Sequence, residues 1–221
     1  FAALIQGQHA PDPSQPFNYA ELGCGQGFGT NILAAAYPHA QFVGIDFNPA
    51  QIANAQALAD EAQLENVSFR DESFRESADL PDDVLPQFDY VTLHGIYAWV
   101  SEANRQAIVR FIERKLKPGG LVYVSYNCMP GWAAMAPFQR LLIEHAERNP
   151  DRSDRQIAQG FDFVQQLRDA DVAYFAQNPI VPKKIDAMKD KDKSYLAHEY
   201  LNGTWQPLFF TDVAEEMKAA K

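Results

Sequence analysis

Cysteine is scarce in this chain. Cys24 and Cys128 alone cannot build the disulfide framework of a small secreted domain, and neither lies in a spacing that would hold zinc. An excess of basic residues is missing too. The net charge of -10 and the isoelectric point near 4.9 disfavour a nucleic-acid partner, because that role calls for a basic face. The one lysine-rich stretch, with Lys183, Lys184, Lys189, Lys191 and Lys193, is interleaved with Asp186, Asp190 and Asp192 and reads as a solvated face. No apolar run approaches membrane-spanning length, and no charged segment followed by an apolar one opens the chain. These absences lead us to expect a cytoplasmic chain without a membrane partner. Starting at Phe1 rather than methionine, it is expected to be a piece of a longer protein. Repeats and low-complexity tracts are lacking as well.

What is present is a hydrophobic fraction of 47% in 221 residues, enough for one sizeable core with an added subdomain. The most informative stretch is Tyr19-Ala20-Glu21-Leu22-Gly23-Cys24-Gly25-Gln26-Gly27, which reads as a strand end entering a glycine-rich turn that opens a helix. Glycines there permit positive φ and let a ligand approach the backbone, beside the free N–H groups of a helix N-terminus. The dinucleotide pattern G-x-G-x-x-G fails, since Phe28 or Thr30 stands where its last glycine belongs, and no G-K-[ST] follows to make a phosphate loop. What stands instead is Glu21-x-Gly23-x-Gly25-x-Gly27, whose carboxylate can accept hydrogen bonds from a ligand ammonium. Asp46 ends the next predicted strand, Gln41 to Asp46, about 20 residues beyond the turn, where nucleotide-binding βαβ units grip a ribose diol. Its competing reading, a helix-capping aspartate, has a rival in Asn48, followed by Pro49 and by Gln51 in a capping-box spacing.

Taken in order, residues 1–16 form a proline-rich entry segment whose Phe1, Leu4 and Ile5 are expected to pad the core rather than cover a ligand. Strands are predicted at Phe17 to Leu22, Gln41 to Asp46, Asn66 to Arg70, Phe88 to His94 and Leu121 to Tyr126. Helices are predicted at Thr30 to Tyr37, from Pro49 to about Leu64, and from the Ser101 cap to Lys117, where Lys117-Pro118-Gly119-Gly120 stops the helix. Residues 133 to about 200 are helical in period, and Thr211 is expected to cap a last helix reaching Lys221. The expected division is an entry segment (1–16), an α/β core (17–126), a mainly helical insertion or lid (127–205), and a return to the core with the last helix (206–221).

Motif by motif, this chain resembles the class I S-adenosylmethionine (SAM) dependent methyltransferases. The likeness rests on the Glu21 to Gly27 stretch, Asp46, the acidic strand end at Asp71, and the helix-Lys-Pro-Gly-Gly-strand run. The segments His94-Gly95-Ile96-Tyr97-Ala98-Trp99-Val100, Tyr126-Asn127-Cys128-Met129-Pro130-Gly131-Trp132 and His198-Glu199-Tyr200-Leu201 look like a bacterial subfamily whose longer chains carry a methyltransferase regulatory domain and include protein lysine methyltransferases. The resemblance implies an α/β, Rossmann-like doubly wound sheet with a helical insertion after the fifth strand. Two final strands and the regulatory domain are expected to be absent, leaving an open sheet edge through which the chain could self-associate. It implies SAM as cofactor and S-adenosylhomocysteine (SAH) as product, contacted by Glu21, Gly23, Cys24, Gly25, Gly27, Asp46, Phe47, Asp71, Glu72, Ser73 and His94. It requires no metal.

Candidates for the reaction end are Tyr97, His94, His198 and Tyr200, in an acceptor pocket completed by Asn127 and Trp132. Trp205 is read as pinning the insertion. The methyl acceptor is a nucleophile, with a protein lysine amine as the leading choice. A non-catalytic SAM-binding regulatory or interaction module stays open as the alternative.

Overall fold

The computed structural model describes residues 2–220, so Phe1, one of the expected core-padding residues, and Lys221, the expected end of the last helix, lie outside the described residues. The chain divides into two compact units. One runs to Tyr126 and resumes at Phe210; the other is Asn127–Phe209.

The first unit begins with the short helix α1 (Ala2–Ile5). It then alternates β1 (Asn18–Leu22), α2 (Phe28–Ala36), β2 (Gln41–Asp46), α3 (Pro49–Glu61), β3 (Val67–Asp71), α4 (Phe74–Asp79), β4 (Phe88–Leu93), α5 (Glu102–Lys115) and β5 (Leu116–Val124). The strands make one parallel sheet in the order β3-β2-β1-β4-β5. The chain therefore builds outward from β1 in one direction, then jumps back to β4 on its other side. That reversal opens a crevice at the carboxyl ends of β1 and β4, where open α/β sheets take their ligands.

The interior strand β2 is buried from Phe42 to Asp46, which explains its unbroken apolar run. On one face Phe17, Ala34, Ala40 and Phe42 form a cluster, with Phe17 edge-on to Tyr37, Phe42 and Tyr90. Asn66 secures the end of α2. Its side-chain amide lies within hydrogen-bond distance of the carbonyls of Ala34, at the end of the helix, and of Tyr37 and Ala40 in the turn after it, at 3.0–3.1 Å. Phe88, Phe111, Ile108 and Leu85 fill the core under β4 and α5.

The second unit opens with β6 (Cys128–Met129) and continues through α6 (Ala136–Arg148), α7 (Ser153–Asp169), α8 (Ala173–Gln177), α9 (Ile180–Asp186) and α10 (Lys193–Tyr200) to β7 (Leu208–Phe209). β6 and β7 pair in parallel and bring its two ends together. Asn127 adds to this closure, its Oδ1 accepting from Trp205 Nε1 at 3.1 Å. The helices pack on Phe138, Leu142, Ile157, Val164, Val181 and Leu196. The last helix, α11 (Phe210–Lys218), belongs to the first unit.

Several expectations are corrected. Leu4 and Ile5 do not pad the core; they are 59% and 65% exposed. The Lys117-Pro118-Gly119-Gly120 run does not stop a helix. The helix ends at Lys115, and the run is a bulge inside β5, where the register jumps from Phe88↔Leu116 to Tyr90↔Leu121. Lys117 is held there by Asp89 at 2.8 Å, and Gly119 supplies the positive φ that the bulge needs. Thr211 lies inside the first turn of α11 rather than capping it.

One position shows how tightly the sheet meets the glycine turn. A Cβ at Gly44 would stand 2.5 Å from the Phe69 ring and 2.9 Å from Cys24 Sγ, with the strand unable to move aside. Gly44→Ala is expected to destabilise the protein by about 1–3 kcal/mol, the usual cost of overpacking, measured as a lowered midpoint in urea unfolding; an unchanged midpoint would show that Phe69 yields freely.

Candidate functional site

The glycine turn has the backbone that its sequence requires. Gly23, Gly25 and Gly27 all have positive φ, between 53° and 71°, a region costly for any residue with a Cβ. Two of the three glycines are also crowded. A Cβ at Gly23 would meet Ile96 Cδ1 at 2.5 Å, and one at Gly27 would meet Ala55 and Phe69 at 2.6 Å. Gly25 differs: nothing lies within 4 Å of where its Cβ would be. The turn is thus packed from beneath at its ends and open at its middle. No side chain caps α2, whose N-cap is Gly27, so its first amides look out beside the turn without a side-chain acceptor.

Three carboxylates stand at successive strand ends. Asp46 is buried and bridges two segments: its Oδ2 accepts the Gly25 N–H and its Oδ1 accepts the Asn48 N–H, each at 3.0 Å. This alters the capping arrangement. Asn48 does cap α3, accepting from Ala50 N at 3.0 Å, but the capping box with Gln51 does not form, because Asp46 has taken the Asn48 amide that Gln51 would have bonded. Gln51 Oε1 is left buried with no hydrogen-bond partner. Each Asp46 oxygen has a second lone-pair direction to offer a ligand hydroxyl. Asp71 ends β3 directly beside Asp46 in register and is exposed.

Glu21 ends β1 half-buried, accepting from Thr30 Oγ1 in the first turn of α2. Burial raises its pKa above the ordinary carboxylate value, while the Thr30 hydrogen bond and the charge of nearby His94 pull it down. Cys24 is no nucleophile: burial, with Asp46 and Glu21 adding to it, pushes its thiol up to about 12. Phe47, just past β2, is 77% exposed and offers a bare aromatic face at the mouth of the turn.

Glu72 and Ser73 are committed elsewhere. Glu72 pairs with Arg70 at 2.7 Å and accepts from Ser77, while Ser73 caps α4 in a full capping box with Glu76. Both also shape the start of α4, a short helix that the sequence pattern does not announce.

The candidates for the reaction end fall in both units, His94 and Tyr97 in the first and His198 and Tyr200 in the second. His94 is exposed past the end of β4; its Nδ1 lies 3.2 Å from Ser125 Oγ, which also accepts the Gly95 N–H at 2.8 Å, and its ring stacks on Tyr123. Tyr97 does not face the crevice. It is fully buried, and its hydroxyl donates to Glu216 of α11. Tyr200 is buried in the second unit, edge-on to Phe138, and burial drives its pKa upward. His198 is exposed on α10. Trp132 lies edge-on to Trp205 and carries the Lys184 ammonium over its ring at 4.7 Å. The sequence reading missed Thr30, Ile96 and Ser125. Only Thr30, one helical turn past Gly27, had a positional signal. Among the described residues no cluster of His, Cys, Asp or Glu could hold a metal ion, and no helix is long and apolar enough to cross a membrane.

A family model described as "Methyltransferase domain" matches residues 15–199, and one described as "Predicted methyltransferase regulatory domain" matches residues 192–221. The second match corrects the expectation that the regulatory domain is absent, since part of it falls within this chain. A Synechocystis protein, sll1526, is 44% identical over all of this chain and 43% of its own length. The structure of PKMT2 from Rickettsia typhi in complex with AdoHcy superposes with a TM-score of 0.78 at 25% identity, covering 97% of this chain and 40% of that one. A trans-aconitate 2-methyltransferase from Methylobacterium nodulans is 29% identical over 49% of this chain and 38% of its own length. The chain spans about two fifths of the length of these relatives.

Because the folded state holds the Glu21 proton more tightly than the unfolded chain does, this group's contribution to stability is full below the ordinary carboxylate value. It is lost as pH rises through the folded-state pKa, so at neutral pH an ionised Glu21 is a cost. Glu21→Gln should therefore melt at a higher temperature than the wild type at pH 7, with the gap closing as pH falls below about 4.5; thermal unfolding at both pH values checks this, and a lower melting temperature at pH 7 contradicts it.

Proposed function

The chain belongs to the class I methyltransferases, and from that premise we propose that it binds SAM in the crevice at the ends of β1, β2 and β4 and takes part in methyl transfer to a protein amine. The observation that carries the binding is the pairing of an open Gly25 with carboxylates at Glu21 and Asp46. Ionised carboxylates only accept hydrogen bonds. SAM supplies the matching donors, an ammonium for Glu21 and a ribose diol for Asp46, and the orphaned Gln51 Oε1 adds a third acceptor that seeks a donor. Exposed Phe47 offers an aromatic face for the adenine, with Asp71 near its amino group.

The chemistry that SAM brings is an activated methyl: the acceptor nitrogen forms a bond to the methyl carbon as the carbon–sulfur bond breaks, leaving the thioether of SAH. The work of the protein is alignment. A lysine amine must first shed its proton, against a reference pKa of about 10.4, and His94 is the imidazole at the crevice placed to receive it. Ser125 orients that ring, its Oγ lying 3.2 Å from Nδ1.

Two observations favour a protein acceptor over a small one. The likeness to PKMT2 runs through the helical unit as well as the sheet, whereas that to trans-aconitate methyltransferase covers about half of the chain. The alternative, a SAM-binding module without turnover, uses the same contacts and is separated from an enzyme by assay alone.

Calorimetry should show SAH binding by the protein, weakened about 10- to 150-fold in Asp46→Ala, which is the loss of about 1.5–3 kcal/mol for hydrogen bonds to a charged group; equal affinities would remove Asp46 from the site. With methyl-labelled SAM and a cell lysate, we expect label on protein, located on lysine by mass spectrometry. Label confined to small molecules would overturn the acceptor, and SAH binding without any label would favour the module.

A further inference from the structure

The buried hydroxyl of Tyr97 is the start of a path that leads from the last helix to the glycine turn. Glu216 of α11 accepts from Tyr97, and its other oxygen lies 3.4 Å from Nε of Arg105, a side chain almost wholly buried on α5. Arg105 reaches back to the Val100 carbonyl at 3.4 Å, so the half-buried carboxylate closes a small polar network around the segment 95–100. This segment is a tight turn, with Gly95 at positive φ and the Trp99 N–H bonded to the Ile96 carbonyl at 2.8 Å. Ile96, the neighbour of Tyr97, lies against Gly23 so closely that a Cβ there would be 2.5 Å from its side chain. The same segment begins at His94. A displacement of Tyr97 therefore reaches both the floor of the glycine turn and the histidine at the crevice.

What holds α11 is thin. Val213 is the one buried residue of the helix among those described, and cavities flank it on both sides. One of about 790 Å³ is lined by Gln106, Arg110, Glu113 and Glu216; another of about 570 Å³ is lined by Leu116, Val122, Phe210 and Met217. A helix with so little apolar burial depends on its polar tie, the Tyr97 hydrogen bond to Glu216 with the Arg105 guanidinium facing the same carboxylate. α11 also falls within residues 192–221, the stretch matched to the regulatory domain.

We propose that Glu216 is a positioning residue for the cofactor site, its hold on Tyr97 setting Ile96 against Gly23, so that the regulatory segment governs ligand affinity through the docking of α11. This rests on the SAM-binding reading above. Linkage makes the proposal reciprocal: if docked α11 favours the ligand, the ligand must favour docked α11 by the same factor.

Amide hydrogen exchange of the wild-type protein, with and without saturating SAH, tests this directly. Exchange within α11 should slow by about fivefold or more when SAH binds, at the low end of typical coupling between sites. Tyr97→Phe keeps the ring and removes the hydroxyl, and should abolish that slowing while raising the Kd for SAH by a similar factor. Glu216→Gln keeps an acceptor for Tyr97 but loses the charge facing Arg105, and should fall between the two. A purely structural tie would lower the melting temperature of both variants without linking α11 exchange to SAH. SAH binding with α11 exchange unchanged in the wild type overturns this inference alone. No SAH binding by the wild type overturns the SAM-binding reading and the inference with it.

Discussion

The bridge made by the Asp46 carboxylate is the contact on which the rest of the site depends. One oxygen holds the amide of Gly25 and the other the amide of Asn48, so a single buried side chain fixes the glycine turn after β1 and the entry to α3 after β2. A charged acceptor in a buried position must be fully bonded to be tolerated, and here its bonds are to main chain. The turn is therefore held by geometry that no neighbouring substitution can easily replace. The Ile45 carbonyl adds to it by accepting from both Gly23 and Cys24.

This arrangement makes the site costly for the fold. Glu21 is buried enough to resist ionisation, Gln51 has an oxygen without a partner, and three successive glycines sit in a region of φ that other residues avoid. Phe47 is left bare at the mouth. The buried carboxylate and the unpartnered oxygen each weaken the protein by themselves. A structure that concentrates unsatisfied acceptors and an exposed ring around one open glycine is organised for binding.

The helical unit solves a different problem. Inserted between β5 and α11, it must leave and return at neighbouring points, and it does so with two paired residues on each side plus the Asn127–Trp205 hydrogen bond. Its lysines are not a free basic surface. Lys184, Lys191 and Lys193 lie over Trp132, Tyr195 and Phe161, and Asp186 is held low, at about 2, by Arg168 and Lys189. The acidic balance of the sequence thus persists at the level of local pairs.

The succession of strands and helices along the chain, the glycine turn and the carboxylates at Glu21, Asp46 and Asp71 were determined by the sequence itself, because each rests on local chemistry: period, turn residues, and a carboxylate at a fixed offset from a glycine. Residues whose role depends on distant partners were not. Tyr97 is read along the chain as a crevice residue, yet it turns inward because Glu216, 119 positions later, meets its hydroxyl. Lys117-Pro118-Gly119-Gly120 looks like a helix stop until Asp89 draws it into the sheet as a bulge. Local propensity decides where elements begin, whereas the direction in which a polar side chain points is decided by which partner the folded chain delivers to it.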